Sequence, residues 1–426
     1  MKRAIIILIS LVISGTYLSA QRISGRLSTT VYTWEKYDNT GSSDVILRAT
    51  QTVQLNGYAA NFMFRTYFAG MTGNSAGLLE DGKFMLYNAV LTWNNFLGIS
   101  NVNVGRIPVF AGVGVGTIDG LLIEGKFFQN KFFFKSYGGI NVNSSGRYNG
   151  NGKLKENYAA GGQIGGWLTE KIRCGVSYIN RRKSQEEYYT TRIDTIYNPY
   201  TVLIKPPSLQ EHMLGVDVLY DEIKFASLYG RVDYDFLKEN IQKGEINANV
   251  SIIGNLSATA NFIHREPRIF YRSFFSKFRS ESIREYEGGL EYTFSPWISS
   301  FGRFALVKFH DDDGNRLTLG VSTKYGGMNI TWTSGAVGSL TSISVDGIYP
   351  IINRLLTANA GVSYSEYKFT GSLSPEENAW SGILGLIIRY KNKVSFDLQG
   401  QWMRNRIYGN DIRGFGKISY WFSEIF

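Results

Sequence analysis

Apolar and polar residues alternate one for one in segment after segment of this chain, the period-two pattern of a β-strand with two unlike faces. Ile246, Ala248, Val250 and Ile252 interleave with Glu245, Asn247, Asn249 and Ser251. Leu356, Ala358, Ala360, Val362 and Tyr364 interleave with Thr357, Asn359, Gly361 and Ser363. Val394, Phe396, Leu398 and Trp402 interleave with Ser395, Asp397, Gln399 and Gln401. One face is greasy. The other is rich in Ser, Thr, Asn and Gly, whereas a solvent-facing sandwich sheet would carry far more Lys and Glu. Segments of about ten residues with this alternation, each closed by a turn, are the signature of a transmembrane β-barrel with a wet interior.

The pattern predicts strands at 22–35, 45–56, 58–70, 84–95, 101–109, 117–128, 131–141, 156–168, 171–182, 209–220, 222–235, 243–252, 255–265, 283–294, 297–309, 315–325, 327–335, 339–349, 353–368, 378–390, 393–405 and 411–426. The expected fold is all-β: a single transmembrane antiparallel β-barrel of about 18–22 strands, with 22 counted here. Long connections (Lys36–Asp44, Met71–Lys83, Asn143–Glu156, Lys183–Leu209, Arg265–Ser282, His310–Arg316, Thr370–Asn378) alternate with tight ones near Asn56-Gly57, Phe96-Leu97-Gly98, Thr169-Glu170, Asp221-Glu222, Gly254-Asn255, Ser295-Pro296 and Lys391-Asn392. Long extracellular loops and short periplasmic turns give that rhythm and place both termini in the periplasm. The short Gly335–Gly338 connection breaks it.

The first residues add a compartment. Lys2 and Arg3 precede an apolar run from Ala4 to Ile13, and Leu18-Ser19-Ala20 offers small residues for cleavage. Residues 1–20 therefore read as a secretory signal peptide and 21–426 as the outer-membrane barrel. No later apolar stretch is long enough for a transmembrane helix. With the first strand starting so soon, no plug domain is expected ahead of it.

Composition agrees. Aromatics make up 15% of the chain and there are 47 Gly but only 8 Pro, while the mean hydropathy is −0.14. An apolar belt around a polar interior gives that average. The single cysteine, Cys174, alternates with Ile172, Val176 and Tyr178 and reads as a small inert hydrophobe. Trp34, Trp93, Trp167, Trp297, Trp402, Trp421 and Tyr420 fall near strand ends, where interfacial girdles sit.

The last segment alternates Ile418, Tyr420 and Phe422 back from the terminal Phe426. It resembles the C-terminal strand of bacterial outer-membrane proteins, although Glu424 departs from that pattern. The resemblance implies recognition by the barrel-assembly machinery and closure on the first strand. Gly105-Arg106 followed by the Gly-rich run Ala111–Thr117 and Ile118-Asp119-Gly120 resembles a stretch of bacterial porins and porin-like barrels. In that family the connection can fold toward the pore. The likeness makes Arg106 and Asp119 candidates for a charged constriction and suggests a homotrimer. Alternation puts Arg106 on the parity of Val102 and Val104, which would face lipid unless a bulge at Gly105 flips it.

Inward parity predicts a lumen lined by Arg173, Arg231, Arg303 and Lys324 and by Asp233, Glu245, Glu287, Glu291, Asp346 and Asp397, a set of mixed sign. The formal net charge of +10 then concentrates in loops. The clearest is Arg265, Arg268, Arg272, Lys277 and Arg279, interleaved with Phe270, Tyr271, Phe274, Phe275 and Phe278. Such a loop suits contact with lipopolysaccharide phosphates, an inward-folded gate or an anionic ligand. The acidic run at Asp311, Asp312 and Asp313 is a weak cation candidate and a good hairpin turn. His212, His264 and His310 show no metal-site or triad spacing, so no cofactor and no catalytic centre are expected.

The leading expectation is a porin-like channel for passive diffusion of small hydrophilic solutes, with outer-membrane lipid and lipopolysaccharide around it and no nucleic-acid partner. A surface-structural or ligand-binding barrel with a blocked lumen is the alternative, and a barrel-embedded hydrolase around His212 or His264 is a third.

Overall fold

A computed structural model describes residues 22–37, 43–74, 83–142, 154–222, 225–273, 275, 281–309, 312–335, 338–369, 376–406 and 409–425. The strands begin with β1 (Arg22–Tyr37), β2 (Ser43–Ala59), β3 (Phe62–Gly73), β4 (Lys83–Phe96), β5 (Ser100–Ala111), β6 (Gly114–Phe127), β7 (Phe132–Asn141) and β8 (Tyr158–Trp167). They continue with β9 (Ile172–Lys183), β10 (Tyr188–Ile193), β11 (Pro199–Ile204), β12 (Leu209–Glu222), β13 (Ala226–Asp235), β14 (Asn240–Ile253), β15 (Leu256–Arg265) and β16 (Ile283–Ser295). The last are β17 (Ile298–Phe309), β18 (Asp312–Thr323), β19 (Gly326–Ser334), β20 (Gly338–Ile352), β21 (Leu356–Phe369), β22 (Glu377–Tyr390), β23 (Val394–Arg404) and β24 (Asp411–Ile425).

Twenty-two of these strands form one antiparallel sheet, and β10 with β11 forms a separate hairpin. The sheet closes on itself because β24 pairs with β1, from Arg22 opposite Ile425 to Thr33 opposite Gly414. Closure leaves no free edge, which satisfies every strand's backbone groups within the sheet. The expected strand count and barrel class hold. Within the long 183–209 connection, alternation over Tyr188–Ile193 and Pro199–Ile204 forms the additional hairpin, which was expected to be loop.

Two boundaries move. The first tight turn lies at Ala60–Asn61 rather than Asn56-Gly57, because pairing between β2 and β3 runs on to Ala59 opposite Phe62. Ala60 there takes a left-handed backbone with φ 48°. The acidic run is less of a loop than expected, since β18 begins at Asp312.

The chain forms two compact units. The first comprises the described parts of Met1–Gly105, Thr293–Gly302 and Leu317–Phe426. Its outer face carries Leu27, Val31, Tyr420 and Leu398, all well exposed. The opposite, inner face is polar at its tightest points. Ser28 and Ser419 are buried and their hydroxyls lie 2.9 Å apart across the closing seam. Parity also corrects two girdle assignments. Trp34 lies on the inner face, opposite buried Ile46 in register and beneath the Arg48 guanidinium at 5.1 Å. Trp421 shares the register of Ser419, not of Tyr420. One residue along a strand reverses the face, so an aromatic near a strand end is not thereby at the lipid boundary.

The second unit comprises Arg106–Tyr292 and Arg303–Arg316. Val176, Tyr178, Val216 and Val232 are exposed on its outer face, and Cys174 keeps their parity, as its sequence context suggested. Trp167 is paired with Arg173 on the inner face, a third correction to the girdle set. The buried apolar cluster Val113, Ile179 and Met213 sits on that inner face. It exists because a hairpin tip covers it.

Candidate functional site, an inward-folded hairpin held by two arginines

Strands β5 and β6 are joined by Gly112 and Val113 alone. This tip lies across the inner face of the second unit and reaches β9 and β12. The Val113 N–H donates to Ser177 Oγ at 3.1 Å, and Ser177 Oγ in turn donates to the Gly215 carbonyl at 3.4 Å. Lys135 Nζ donates to the Phe110 carbonyl at 3.1 Å. Ile107, Val109, Ala111 and Ile118 are almost fully buried along the hairpin. Glycine permits this close approach. Gly112 has φ 60°, and a Cβ on it would overlap Ser177.

A charged clamp fixes the tip. Glu211 of β12 is 5% exposed and accepts from two arginines. Arg181 of β9 reaches it through Nε at 2.8 Å and through Nη2, and its Nη1 donates to the Val115 carbonyl at 3.0 Å. Arg268, from the segment after β15, places Nε 2.5 Å from Glu211 Oε1 and Nη2 2.9 Å from the Val113 carbonyl. That segment is drawn inward by a two-way backbone bridge between Gln210 and Tyr271, with N···O distances of 3.0 and 2.9 Å. The Arg181 guanidinium also stacks over the Phe270 ring at 5.2 Å. One buried carboxylate therefore binds two guanidinium groups, a trio with one net positive charge, and both arginines also hold hairpin carbonyls.

Arg106 and Asp119 do come together. Arg106 Nε lies 2.8 Å from Oδ1 and Nη2 2.8 Å from Oδ2, a bidentate pair in which the arginine side chain is 9% exposed. Alternation leaves Arg106 on the parity of Phe110, and Asp119 on the parity of Val115 and Leu121, opposite to buried Ile118 and Leu122.

The other inner-parity candidates of this unit are mostly paired. Arg231 donates to Asp233 at 2.8 Å. Glu245 is bound by Lys243 and, at 2.7 Å, by Asn247. Glu287 accepts from Arg316 at 2.8 Å, and Arg316 also holds Glu285. Arg173 lies over the Phe133 ring at 5.2 Å. Glu291 stands opposite Ser257, and Arg303 is exposed in β17. Arg231, Asp217 and Glu245 face each other across three strands. In the first unit, Asp397 faces Lys417 in register, and Asp346 lies between Gly327 and Gly361. Lys324 is not in a strand. It occupies the turn after β18, with Nζ 3.9 Å from the centre of the Trp297 ring.

Of the basic loop, Arg265 ends β15 opposite Lys243, Arg268 joins the clamp, and Arg272 is exposed with φ 67°. Lys277 and Arg279 lie outside the described residues, as do Asp311, Phe426 and residues 1–21. Asp313 is 76% exposed and 4.0 Å from Lys308. No cluster of potential metal ligands occurs among the described residues. His212 lies 2.9 Å from the Tyr178 hydroxyl, and His264 contacts the Ile241 carbonyl at 3.3 Å. Among the described residues, neither histidine hydrogen-bonds a serine or a carboxylate.

Arg181, Glu211 and Ser177 escaped sequence reading. A signal was present. Ile179 and Met213 are apolar residues on the polar register of their strands, and each is flanked two residues away by one of these polar groups.

No family model matches the chain, and no curated relative does. Solved structures do. A mutant of the ferric enterobactin receptor from Pseudomonas aeruginosa shares 9% identity, with 95% of this chain and 81% of that one covered and a TM-score of 0.56. A BenF-like porin from Pseudomonas fluorescens Pf-5 shares 10% identity over 95% and 99% of the two chains at a TM-score of 0.45. OccAB4 of Acinetobacter baumannii shares 9% over 96% and 100% at 0.45. With its closed sheet of 22 antiparallel strands, apolar without and polar within, the chain has the fold of the outer-membrane β-barrels.

Proposed function

We propose that this protein is a porin-like channel through which small hydrophilic solutes diffuse, exported by an N-terminal signal peptide, with the β5–β6 hairpin narrowing its passage. The observation that carries the reading is the charge-rich inner face of the second unit, which carries Glu211, Asp217, Arg231, Asp233, Glu245 and Glu287 around the apolar patch that the hairpin covers. A face that met no water would have no use for so many ionised groups, since a buried pair rarely repays its desolvation. Interspersed signs wet a path without forming a single-sign barrier. The inward hairpin agrees with the porin-like stretch around Arg106 and Asp119, and its clamp makes it a fixed restriction rather than a loose loop. Passage is by diffusion.

The test is single-channel recording of refolded protein in a planar bilayer. Discrete conductance steps are expected, with a reversal potential in a salt gradient that reports weak ion preference. Folded barrel that never conducts would overturn the reading and favour the surface-structural or ligand-binding alternative.

A further inference from the structure

We propose that the inner face of the first unit carries a binding subsite for a phosphate monoester with a flat ring, in a cavity beside the seam where β24 meets β1. The cavity measures about 470 Å³ and is lined by Arg26 of β1, Arg389 of β22, Asp397 of β23, and Lys417 and Trp421 of β24. This inference rests on the reading that the inner face meets water and solute.

The sequence builds the cavity by alternating long and short side chains on one face. Ser28, Ser395 and Ser419 stand side by side in register and are buried at 2–3% exposure or less. Their small side chains leave a hollow. The longer side chains one step along each strand, Arg26, Asp397 and Lys417, line it. Leu27, Phe396, Ile418 and Tyr420, between them in sequence, are exposed on the other face. The wall is therefore polar by register.

Charge selects the ligand class. Three cations and one carboxylate line the cavity, an excess of two positive charges. None of Arg26, Arg389 and Lys417 forms an ion pair with a described residue, although Asp397 faces Lys417 across the strands. In the second unit, by contrast, arginines of the same face are held by carboxylates. Unpaired guanidinium groups present planar forks suited to phosphate oxygens. A phosphate monoester carries about −1.5 to −2 at pH 7, which matches the excess, whereas a carboxylate supplies half of it. Trp421 gives the same cavity an aromatic face on which a ring can lie.

The experiment is calorimetric titration of refolded full-length protein in detergent with phenyl phosphate, inorganic phosphate and benzoate, at low ionic strength. Phenyl phosphate is expected to bind at least tenfold tighter than benzoate, with inorganic phosphate between them. Lys417→Gln combined with Arg389→Gln should weaken phenyl phosphate by tenfold or more. Trp421→Leu should weaken phenyl phosphate and leave inorganic phosphate unchanged. Equal affinities for the three probes, or no detectable heat with any of them, would overturn the proposal. The wild-type comparison needs no variant to fold. Binding in detergent does not require ion passage, so the two readings separate. Binding with a silent bilayer would sink the channel and keep the subsite, while conductance without binding would do the reverse.

Discussion

Arg268 Nη2 lies 2.9 Å from the carbonyl oxygen of Val113, so a side chain from the β15–β16 connection holds the backbone of the β5–β6 tip. The contact spans 155 positions of sequence, and its anchor is Glu211, which binds the same guanidinium. Both arginines that grip the tip thus share one buried carboxylate.

Glu211→Ala should release the tip. It strips Arg181 and Arg268 of their shared partner, and breaking a buried pair costs about 3–5 kcal/mol. Larger and noisier single-channel conductance is expected, with the barrel still folded by its heat-dependent gel mobility. Arg268→Ala should act in the same direction but less, because Arg268 is 42% exposed and Arg181 still pairs with Glu211. Wild-type conductance in Glu211→Ala would show that the clamp does not set the passage.

Gly112→Ala should displace the same tip by a steric route. A Cβ there overlaps Ser177, and a left-handed backbone costs a non-glycine residue about 1–2 kcal/mol. Ser177→Gly in the same chain removes the overlap but not the backbone cost. Conductance and thermal stability should therefore recover only in part in the double variant. Full recovery would assign the whole effect to the clash.

Arg106→Gln should leave the Asp119 carboxylate without its bidentate partner. If this pair borders the passage, the reversal potential in a salt gradient shifts toward cation preference, and Asp119→Asn shifts it the other way. Unchanged potentials in both variants, with lowered thermal stability, would make the pair a structural brace on the register of Phe110 and Leu121.

The β10–β11 hairpin should loosen in acid. Asp194 in its turn accepts backbone N–H bonds from Asn198 and Ile196, both at 2.8 Å, and these hold its carboxyl below the usual range. A depressed carboxyl stabilises the turn above its unfolded pKa and loses that contribution as pH falls through the folded value. The protection factors of the Ile196 and Asn198 amides, measured against their intrinsic exchange rates, should therefore fall at the acid end, and Asp194→Asn should flatten that pH dependence. A pH-independent protection factor in the wild type would contradict this.

The sequence alone determined the barrel. Alternation of the kind seen in Leu356–Tyr364 and Val394–Trp402 is a local property, because successive side chains of a strand must point to opposite faces. Strand number and the outer position of Cys174 follow from it, while the pairing of first and last strands was implied by the resemblance of the last segment to the C-terminal strands of bacterial outer-membrane proteins. The porin-like stretch singled out Arg106 with Asp119, and the basic loop holding Arg268 was open to a lipopolysaccharide contact, an inward fold or an anionic ligand. Only the tertiary structure decided which carboxylate answers Arg268. Glu211 and Arg181 are ordinary charged residues until closure brings β9, β12 and the β5–β6 tip onto one inner face, and no local pattern encodes that meeting. The same holds for Trp34, Trp167 and Trp421. Their nearness to strand ends was legible, but the face each occupies turns on one residue of register, which is fixed by pairing with neighbouring strands.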